Sequence, residues 1–365
     1  MPTIQEAKAK LDDHIGKQRS AFYKPIQVAE ILHRADCKEN GLTPQQLLKK
    51  ELYRNPSKRW RDEVTLRLVG NVSTSSQKFQ DNLFEDNAIA PTTLAVLAEE
   101  NYHYPHIVER YIYQAFWLKL SAIHQVAHYL EQSQSTPNTF DLAHFFAFFE
   151  EGLRRSIDKA YEIVVYALFD ALVHHLQAQV SLSIDTSSPQ TLALLQEFED
   201  FAHIVLGVDM EHLVITRPAA FYRAGVTNAA DRGVDIWANF GPVVQIKHLS
   251  LSTEMAEGIS ESIRADWIII VCQDAEETVL NSVLHQLGIN VRAIITQRDL
   301  TAWYEKALQG EYAPVLASDL LNCLQAEFTA EFPSISEFIP FYTERGYDQI
   351  TACDSSFWRA DPWIV

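Results

Sequence analysis

Apolar residues in the first third of the chain recur at the three- and four-residue spacing of amphipathic helices. Residues 24–33 show this period after a proline start, and Thr43 precedes Pro44 as an N-cap precedes the first helical turn. The pattern also predicts a long helix, rich in aromatic residues, over 107–130. The region up to about residue 130 is therefore predicted to be mainly helical.

The pattern becomes mixed after a polar linker at 132–138. It predicts helix over 140–179, with a break near Gly152, and again over 189–205. A short strand is predicted at 212–216 and a long loop at 218–233. The elements predicted after that loop are a β-hairpin at 235–247, a helix at 252–264, an apolar strand at 267–272, a helix at 275–287 and a strand at 290–296. Helices alternating with strands indicate an α/β fold.

The predicted hairpin carries three polar residues in strands that are otherwise apolar. Asp235 opens the first strand, residues 239–242 have the composition of a turn, and Gln245 and Lys247 lie in the second strand. Since Gln245 and Lys247 are two residues apart, they face the same side. Burying such groups without partners is costly, and a divalent cation with a phosphate would supply partners.

Composition restricts the class of protein. The 365 residues are 47% hydrophobic and 21% charged, as in a globular protein, and no apolar run is long enough to span a membrane. The N-terminus has no signal-peptide core, and the four cysteines are scattered without a CxxC pair. We therefore expect a cytoplasmic protein with free thiols.

The net charge of −18 argues against DNA binding by bulk attraction, but the charge is unevenly distributed. Residues 41–80 contain eight basic and three acidic side chains, and Trp60 is flanked by cations. This basic segment is predicted to grip DNA. Its predicted contacts are Lys58, Arg59, Arg61, Ser75, Gln77 and Lys78. A solvated basic helix end is the alternative interpretation.

The loop that leads into Asp235 is the second predicted DNA contact. Arg, Thr and Asn side chains can contact phosphates or base edges, and arginine pairs with guanine while asparagine pairs with adenine. The predicted contacts here are Arg223, Thr227, Asn228 and Arg232, with His248 after the hairpin, and Asp231 is a possible assistant to a metal.

The hairpin resembles the PD-(D/E)XK nuclease motif, in which an acid precedes a hairpin that carries acid-X-Lys. Here the pattern is Asp235, nine residues, then Gln245-Ile246-Lys247, with glutamine where the family usually has an acid. The resemblance implies a mixed central sheet flanked by helices. It also implies a metal site with Asp235 as the essential ligand, and with the Gln245 side-chain oxygen and the Ile246 carbonyl as further ligands. Lys247 would orient the attacking water and balance phosphate charge.

Because a neutral amide binds a hard cation less strongly than a carboxylate does, a further acid is expected. Superfamily members often carry a glutamate on the preceding helix, so Glu162 is the first candidate and Glu199 the second. A solvated helix face is an equally good interpretation of Glu162.

On the evidence of residues 55–61, 72–77, 226–242 and 245–248, the chain resembles type II restriction endonucleases of the HaeII kind over most of its length. That resemblance implies a prokaryotic enzyme that cuts double-stranded DNA with Mg²⁺, acts as a homodimer at a GCGC-centred palindrome, and has a cognate DNA methyltransferase as its genomic partner. Three domains are expected: a mainly helical DNA-recognition and dimerisation domain at 1–135, a PD-(D/E)XK-like catalytic domain at 139–310, and a C-terminal extension at 311–365 that packs on the core.

Three other functions fit parts of the sequence. A structure-specific repair nuclease would keep the fold with little sequence preference. Gln245 and the acidic net charge also fit a non-catalytic DNA-binding protein on the same fold, and the composition alone fits an α/β interaction protein.

Overall fold

The structure is a computed structural model that describes residues 1–18, 21–36, 41–224, 234–248, 267–274, 291–349 and 357–359, with the single positions 251, 259, 263 and 265. The chain forms two compact units. Unit 1 contains Met1–Ala160 and Gln325–Val365, and unit 2 contains Tyr161–Leu324. The expected domains were bounded instead at the linker near 136 and at residue 310. Both boundaries between the units lie inside helices, and the composition of the sequence does not change there. The functions expected of the three domains remain predictions.

The helices described by the structure include most of those that the apolar period predicts. They are α1 (Ile4–Gly16), α2 (Tyr23–Asp36), α3 (Pro44–Leu47), α4 (Pro56–Val69), α5 (Gln77–Asp81), α6 (Pro91–His103), α7 (Ile107–Ser135), α8 (Leu142–Gly152), α9 (Ile157–His175), α10 (Pro189–Glu197), α11 (Glu199–Phe201), α12 (Gln297–Gln309), α13 (Ala313–Glu331) and α14 (Phe338–Glu344). Short 3₁₀ turns lie at Lys50–Leu52, Asn82–Phe84, Pro137–Thr139, Arg154–Ser156 and Tyr347–Gln349, and a π-helical turn lies at Ala202–Leu206.

Unit 1 is helical in its described residues, and its core is built on α7. This helix of 29 residues buries an aromatic and aliphatic stripe that includes Tyr111, Ile112 and Phe116. Thr43 caps α3 as predicted, because its hydroxyl accepts from the Gln46 amide while the Gln46 side chain accepts from the Thr43 amide. The predicted helical character of the N-terminal region is confirmed.

The seven described strands lie in unit 2. They are β1 (Gln179–Ser183), β2 (Val214–Pro218), β3 (Phe221–Arg223), β4 (Ile236–Ala238), β5 (Pro242–Lys247), β6 (Trp267–Cys272) and β7 (Val291–Thr296). β1 and β2 form an antiparallel pair, and the others form a five-stranded sheet in the order β3-β4-β5-β6-β7. β3, β4 and β5 are antiparallel, whereas β5, β6 and β7 are parallel. The expected mixed sheet is therefore present in an α/β fold.

One face of this sheet is packed by apolar residues. Val243, Gln245 and Lys247 of β5 are in register with Ile268, Ile270 and Cys272 of β6, and all six share a face because side chains alternate along a strand. The buried cluster on this face is formed by Leu251, Ile259, Ile263, Ile268, Ile270 and Cys272. Gln245 and Lys247 are thus polar residues on an apolar face.

Two predictions of secondary structure are wrong. Residues 221–223 form β3, although 218–233 was predicted as a loop, because three residues are too few to show an alternating pattern. The predicted helix 140–179 ends at His175, and Gln179 begins β1. Of the predicted helices at 252–264 and 275–287, only isolated positions of the first, Ile259 and Ile263, are described. None of the helices in the described part of the chain has the length and hydropathy needed to cross a membrane.

Candidate active site on the β4–β5 hairpin

The turn of the hairpin is fixed by its sequence and by contacts with the chain that precedes β3. Gly241 has a φ of 109°, a conformation that favours glycine. The Asn239 side chain accepts from the Ala220 amide at 3.0 Å and donates to the Pro218 carbonyl at 2.9 Å. These bonds hold the turn beside β3 and so set the relative positions of β4 and β5.

At the other end of the hairpin, Asp235 is joined directly to β5. Its Oδ2 accepts from Gln245 Nε2 at 2.7 Å and from the Ile246 main-chain amide at 2.7 Å. The Asp235 amide donates to the Val244 carbonyl at 3.1 Å. Three of the residues predicted to form the metal site therefore meet at one point.

The Gln245 amide is buried, with only 3% of the residue exposed. Its Nε2 faces the Asp235 carboxylate, and among the described residues no donor contacts its Oε1. The amide thus presents its nitrogen to Asp235, and its oxygen is left to accept from water. The Ile246 carbonyl is on the same side of β5 as the Ile246 amide, since both groups of one residue in a strand point the same way, and it lies 3.4 Å from Gln245 Nε2.

Lys247 shares the face of Gln245 and is partly exposed. In the described part of the chain its ammonium group makes no ion pair or hydrogen bond. Toward the turn of the hairpin, Trp237 is paired with Val243 and shares this face, and its ring stacks on Tyr222 with 4.3 Å between centroids. This face thus carries a carboxylate, an amide and a cation at one end of the hairpin, and two exposed aromatic rings toward its turn.

Glu162, the first candidate for a further acid, contacts a different predicted residue. It lies on α9, is 5% exposed, and its carboxylate is 3.9 Å from the Arg223 guanidinium. Arg223 is in register with Ile236, the residue after Asp235. The predicted DNA contact Arg223 is therefore an ion-pair partner of the predicted metal ligand Glu162.

The structure gives less information about the role of the remaining predicted residues of unit 2. Glu199 is exposed and its carboxylate accepts from the Met210 amide at 3.5 Å. His248 is partly exposed at the end of the hairpin. Thr227, Asn228, Asp231 and Arg232 lie outside the described residues.

The basic segment separates into buried and exposed cations. Arg61 is 2% exposed, and its guanidinium donates to Asp62 at 2.6 Å, to Gln27 at 3.1 Å and to Gln80 at 3.3 Å. In this arrangement Arg61 supports the helical packing and does not present a cation to DNA. Lys58 is paired with Asp81 at 2.8 Å.

The other predicted contacts of the basic segment lie on the surface, where DNA could reach them. They are Arg59, Ser75, Gln77 and Lys78.

One group with possible metal-binding chemistry was missed by the sequence analysis. His33, His106 and Glu109 bring their ligand atoms within 4.8 Å of one another. The spacing of His106 and Glu109, three residues apart on a helix start, was a weak signal. His33 is far away in sequence, so only the fold brings it to the other two.

The comparisons with known proteins agree with the expected family. The model of the HaeII restriction endonuclease family matches residues 7–347. The chain is 46% identical over 356 residues to the type II restriction enzyme HaeII of Haemophilus aegyptius, covering 96% of this chain and 98% of that protein. It is 47% identical over 352 residues to the type II restriction enzyme NgoBI of Neisseria gonorrhoeae, covering 94% and 97%.

No solved structure gives a significant match. The family match spans nearly the whole chain, and the two relatives are aligned over nearly their full lengths. The chain belongs to the HaeII restriction endonuclease family and is a type II site-specific endonuclease of double-stranded DNA.

Proposed function

We propose that this enzyme cleaves DNA with Mg²⁺ on a PD-(D/E)XK core formed by the mixed sheet and its helices, with Asp235, Gln245 and Lys247 as the catalytic residues. The observation that carries the proposal is the meeting of Gln245 and Ile246 on one oxygen of Asp235, at 2.7 Å each, on the face that Lys247 shares. A purely structural hairpin would more often bury only apolar residues there.

The donor atoms suit a hard cation. Restriction endonucleases generally use a divalent metal ion. Asp235, Gln245 and the Ile246 carbonyl offer oxygen donors, which Mg²⁺ prefers, and the Gln245 oxygen has no donor among the described residues. When bound, Mg²⁺ would supply Lewis-acid polarisation of the phosphate and activation of water.

The residues of the chain then have separate tasks. Asp235 carries the negative charge of the site, and the two N–H groups that it accepts fix the orientation of its carboxylate. Gln245 presents its amide nitrogen to Asp235, so ligation by its oxygen requires the amide to turn. Lys247, with its ammonium group unpaired in the described structure, orients the attacking water and balances the developing phosphate charge.

Glu162 is the proposed additional acid, held near the β3–β4 edge by Arg223. Engagement of Arg223 by a DNA phosphate would remove this ion pair from Glu162. Glu199 is less favoured, because it lies on the surface next to Met210.

The DNA contacts proposed for the basic segment are the exposed side chains Arg59, Ser75, Gln77 and Lys78, with Lys58 available once it leaves Asp81. Thr227, Asn228, Arg232 and His248 remain proposed contacts near the hairpin. By resemblance to HaeII, the target is a GCGC-centred palindrome.

A palindromic target is most simply cut by a two-fold symmetric enzyme, so we propose a homodimer. Unit 1 would contribute DNA recognition and dimerisation. We place the enzyme in the cytoplasm of a prokaryotic cell, where a cognate methyltransferase protects the host sites; the two relatives are bacterial proteins.

Digestion of plasmid DNA tests this proposal. We expect discrete fragments with Mg²⁺ and none after chelation. Asp235→Asn keeps the size of the side chain but removes its charge, and should lower the cleavage rate about a thousandfold, equivalent to several kcal/mol of lost transition-state stabilisation.

Glu305→Gln is the matched control, since it removes an exposed carboxylate of the same unit that has no part in the proposed site, and it should cleave at the wild-type rate. Sequencing of the fragment ends gives the target and the cut position. Asp235→Asn that cleaves within a few-fold of the wild-type rate, while folded, would place the catalytic carboxylate elsewhere.

A further inference from the structure

A second group of metal-ligating side chains lies in unit 1 and has no part in the proposed reaction. His33 is in the last turn of α2, His106 directly precedes α7, and Glu109 is in the first turn of α7. Glu109 is completely buried, whereas the His33 and His106 side chains are 24% and 33% exposed. The carboxylate is thus the innermost ligand of the group, and the two imidazoles are accessible from the surface.

The distances match the edges of a small coordination shell. His33 Nδ1 is 3.1 Å from Glu109 Oε2, and His106 Nδ1 is 3.3 Å from each carboxylate oxygen. Bonds of about 2.1 Å to a tetrahedral ion separate neighbouring ligand atoms by about 3.4 Å. A cation would therefore fit with small shifts of the two imidazoles.

The carboxylate is oriented by residues that would surround such an ion. Asn101 Nδ2 donates to Glu109 Oε1 at 2.8 Å, and the Tyr347 hydroxyl donates to Oε2 at 2.6 Å. Asn101 is itself fixed, because its Oδ1 accepts from the Val108 amide at 3.1 Å. Hydrogen bonds of this kind orient metal ligands in many proteins.

The backbone at His106 is held in an uncommon conformation that serves this arrangement. Its φ of 65° and ψ of 9° lie in the left-handed region, which a non-glycine residue adopts at some cost in free energy. This conformation places the imidazole of His106 against a carboxylate of the following turn.

We infer that His33, His106 and Glu109 form a binding site for a borderline transition-metal ion, with Zn²⁺ as the best fit. Two imidazole nitrogens and one carboxylate are ligands that Zn²⁺ prefers, and water from the exposed side would complete the shell. The donor set differs from the oxygen donors at Asp235, which suit Mg²⁺. The ion would connect α2 to α7 and, through Tyr347, to the C-terminal part of unit 1.

Cobalt titration of the full-length, untagged protein tests this inference. After treatment with a chelator and exchange into metal-free buffer, we expect one Co²⁺ per chain to give the visible spectrum of a four- or five-coordinate ion. One equivalent of Zn²⁺ should displace it and raise Tm, whereas Mg²⁺ should not displace it.

Variants separate this site from other histidines and from the catalytic site. His106→Ala and Glu109→Gln should each lower the affinity for Co²⁺ at least about 100-fold. His212→Ala is the control, because His212 is exposed and its imidazole also lies beside a carboxylate, 3.1 Å from Asp209. Asp235→Asn should bind Co²⁺ like the wild type, so the result does not depend on whether Asp235 is catalytic.

Either of two results would overturn the inference: no Co²⁺ uptake by the wild type, or equal uptake by the wild type and both folded variants. If the variants do not fold, X-ray absorption of the Zn²⁺-loaded wild type decides, because the site requires two imidazole ligands and fewer would contradict it.

Discussion

The β4–β5 hairpin and the basic segment (residues 41–80) were both predicted to be functional from their polar side chains, but those side chains have different partners in the structure. In the hairpin, Asp235 and Gln245 meet as predicted, while the Lys247 ammonium has no partner among the described residues. In the basic segment, Arg61 and Lys58 are already neutralised by acids and amides of the same unit. The polar residues predicted in the apolar strand thus come together, whereas two of the cations predicted to bind DNA are paired within the protein.

The difference has a physical cause. In the apolar strand β5 no acid lies within reach of the Lys247 ammonium group among the described residues, so that cation stays available to a ligand. Charged residues on helices find partners three or four positions away or on neighbouring helices. Lys58 is an example, because Asp81 lies at the end of α5, and Arg61 finds an acid in the next residue, Asp62.

Replacement of Lys247 by alanine tests whether the hairpin takes part in cleavage, and it has the largest expected effect. Loss of the ammonium group removes the cation proposed to act in catalysis, so we expect the rate of cleavage at saturating DNA and Mg²⁺ to fall about 100-fold or more. Lys306→Ala, on the exposed side of α12, should cleave normally. A single-turnover rate for Lys247→Ala close to that of the wild type would remove Lys247 from the mechanism.

Arg61 and Arg59 test the basic segment, since they lie two residues apart on α4 but differ in burial. Arg61→Ala removes the donor to Gln27 Oε1 and a large buried side chain, and should lower the free energy of unfolding by about 3 kcal/mol. Arg59→Ala should not change Tm. If Arg59 contacts a phosphate, the substitution should lower the slope of log affinity against log salt concentration by about one. Denaturation and salt titrations measure both effects, and a stable Arg61→Ala with weakened DNA binding would reverse the assignment.

Much of the fold was predictable because its signals are local. The long helix α7, the hairpin and the apolar strand β6 follow from periodicity, and the Thr43 cap follows from residue type. β3 was not predicted because three residues are too few to show a period. α13 was not predicted because its sequence contains Pro314, which lies at the second position of the helix, where its missing N–H costs little.

At the candidate site, sequence could indicate that Gln245 and Lys247 share a face, but not that the Gln245 nitrogen would face Asp235. Nor could it show that Glu162 pairs with Arg223, since the two residues are far apart in sequence. Contacts of this kind depend on tertiary packing, which local patterns do not encode. The His33–His106–Glu109 group escaped for the same reason.

Gln245→Glu sharpens the comparison by adding a charge to the hairpin. Without a divalent ion, a second carboxylate close to that of Asp235 would be repelled by it, so we expect the free energy of unfolding to fall by about 1–2 kcal/mol. Mg²⁺ should restore the loss, and cleavage should be retained or raised.

Gln309→Glu, at the exposed end of α12, should show neither effect. Melting curves with and without Mg²⁺ give the answer. A Mg²⁺-independent Tm for Gln245→Glu would indicate that the cation does not bind beside Gln245.

The smallest expected effect concerns the pairing that occupies Lys58. Hydrogen bonds from Arg54, with a further contribution from Lys58, lower the pKa of Asp81 from 3.8 to about 2. Because the folded-state pKa lies below the unfolded value, the ionised pair stabilises the protein fully above about pH 4, and this stabilisation is lost as the pH falls toward 2. The Asp81 side chain is 14% exposed and Arg54 is 38% exposed, so solvent screening limits the contribution to about 1 kcal/mol.

The difference in free energy of unfolding between the wild type and Asp81→Asn should therefore be about 1 kcal/mol at pH 5 and about half of that at pH 3. Urea titrations at both values measure it; a difference that does not change with pH would mean that Asp81 is not the acid that neutralises this part of the basic segment.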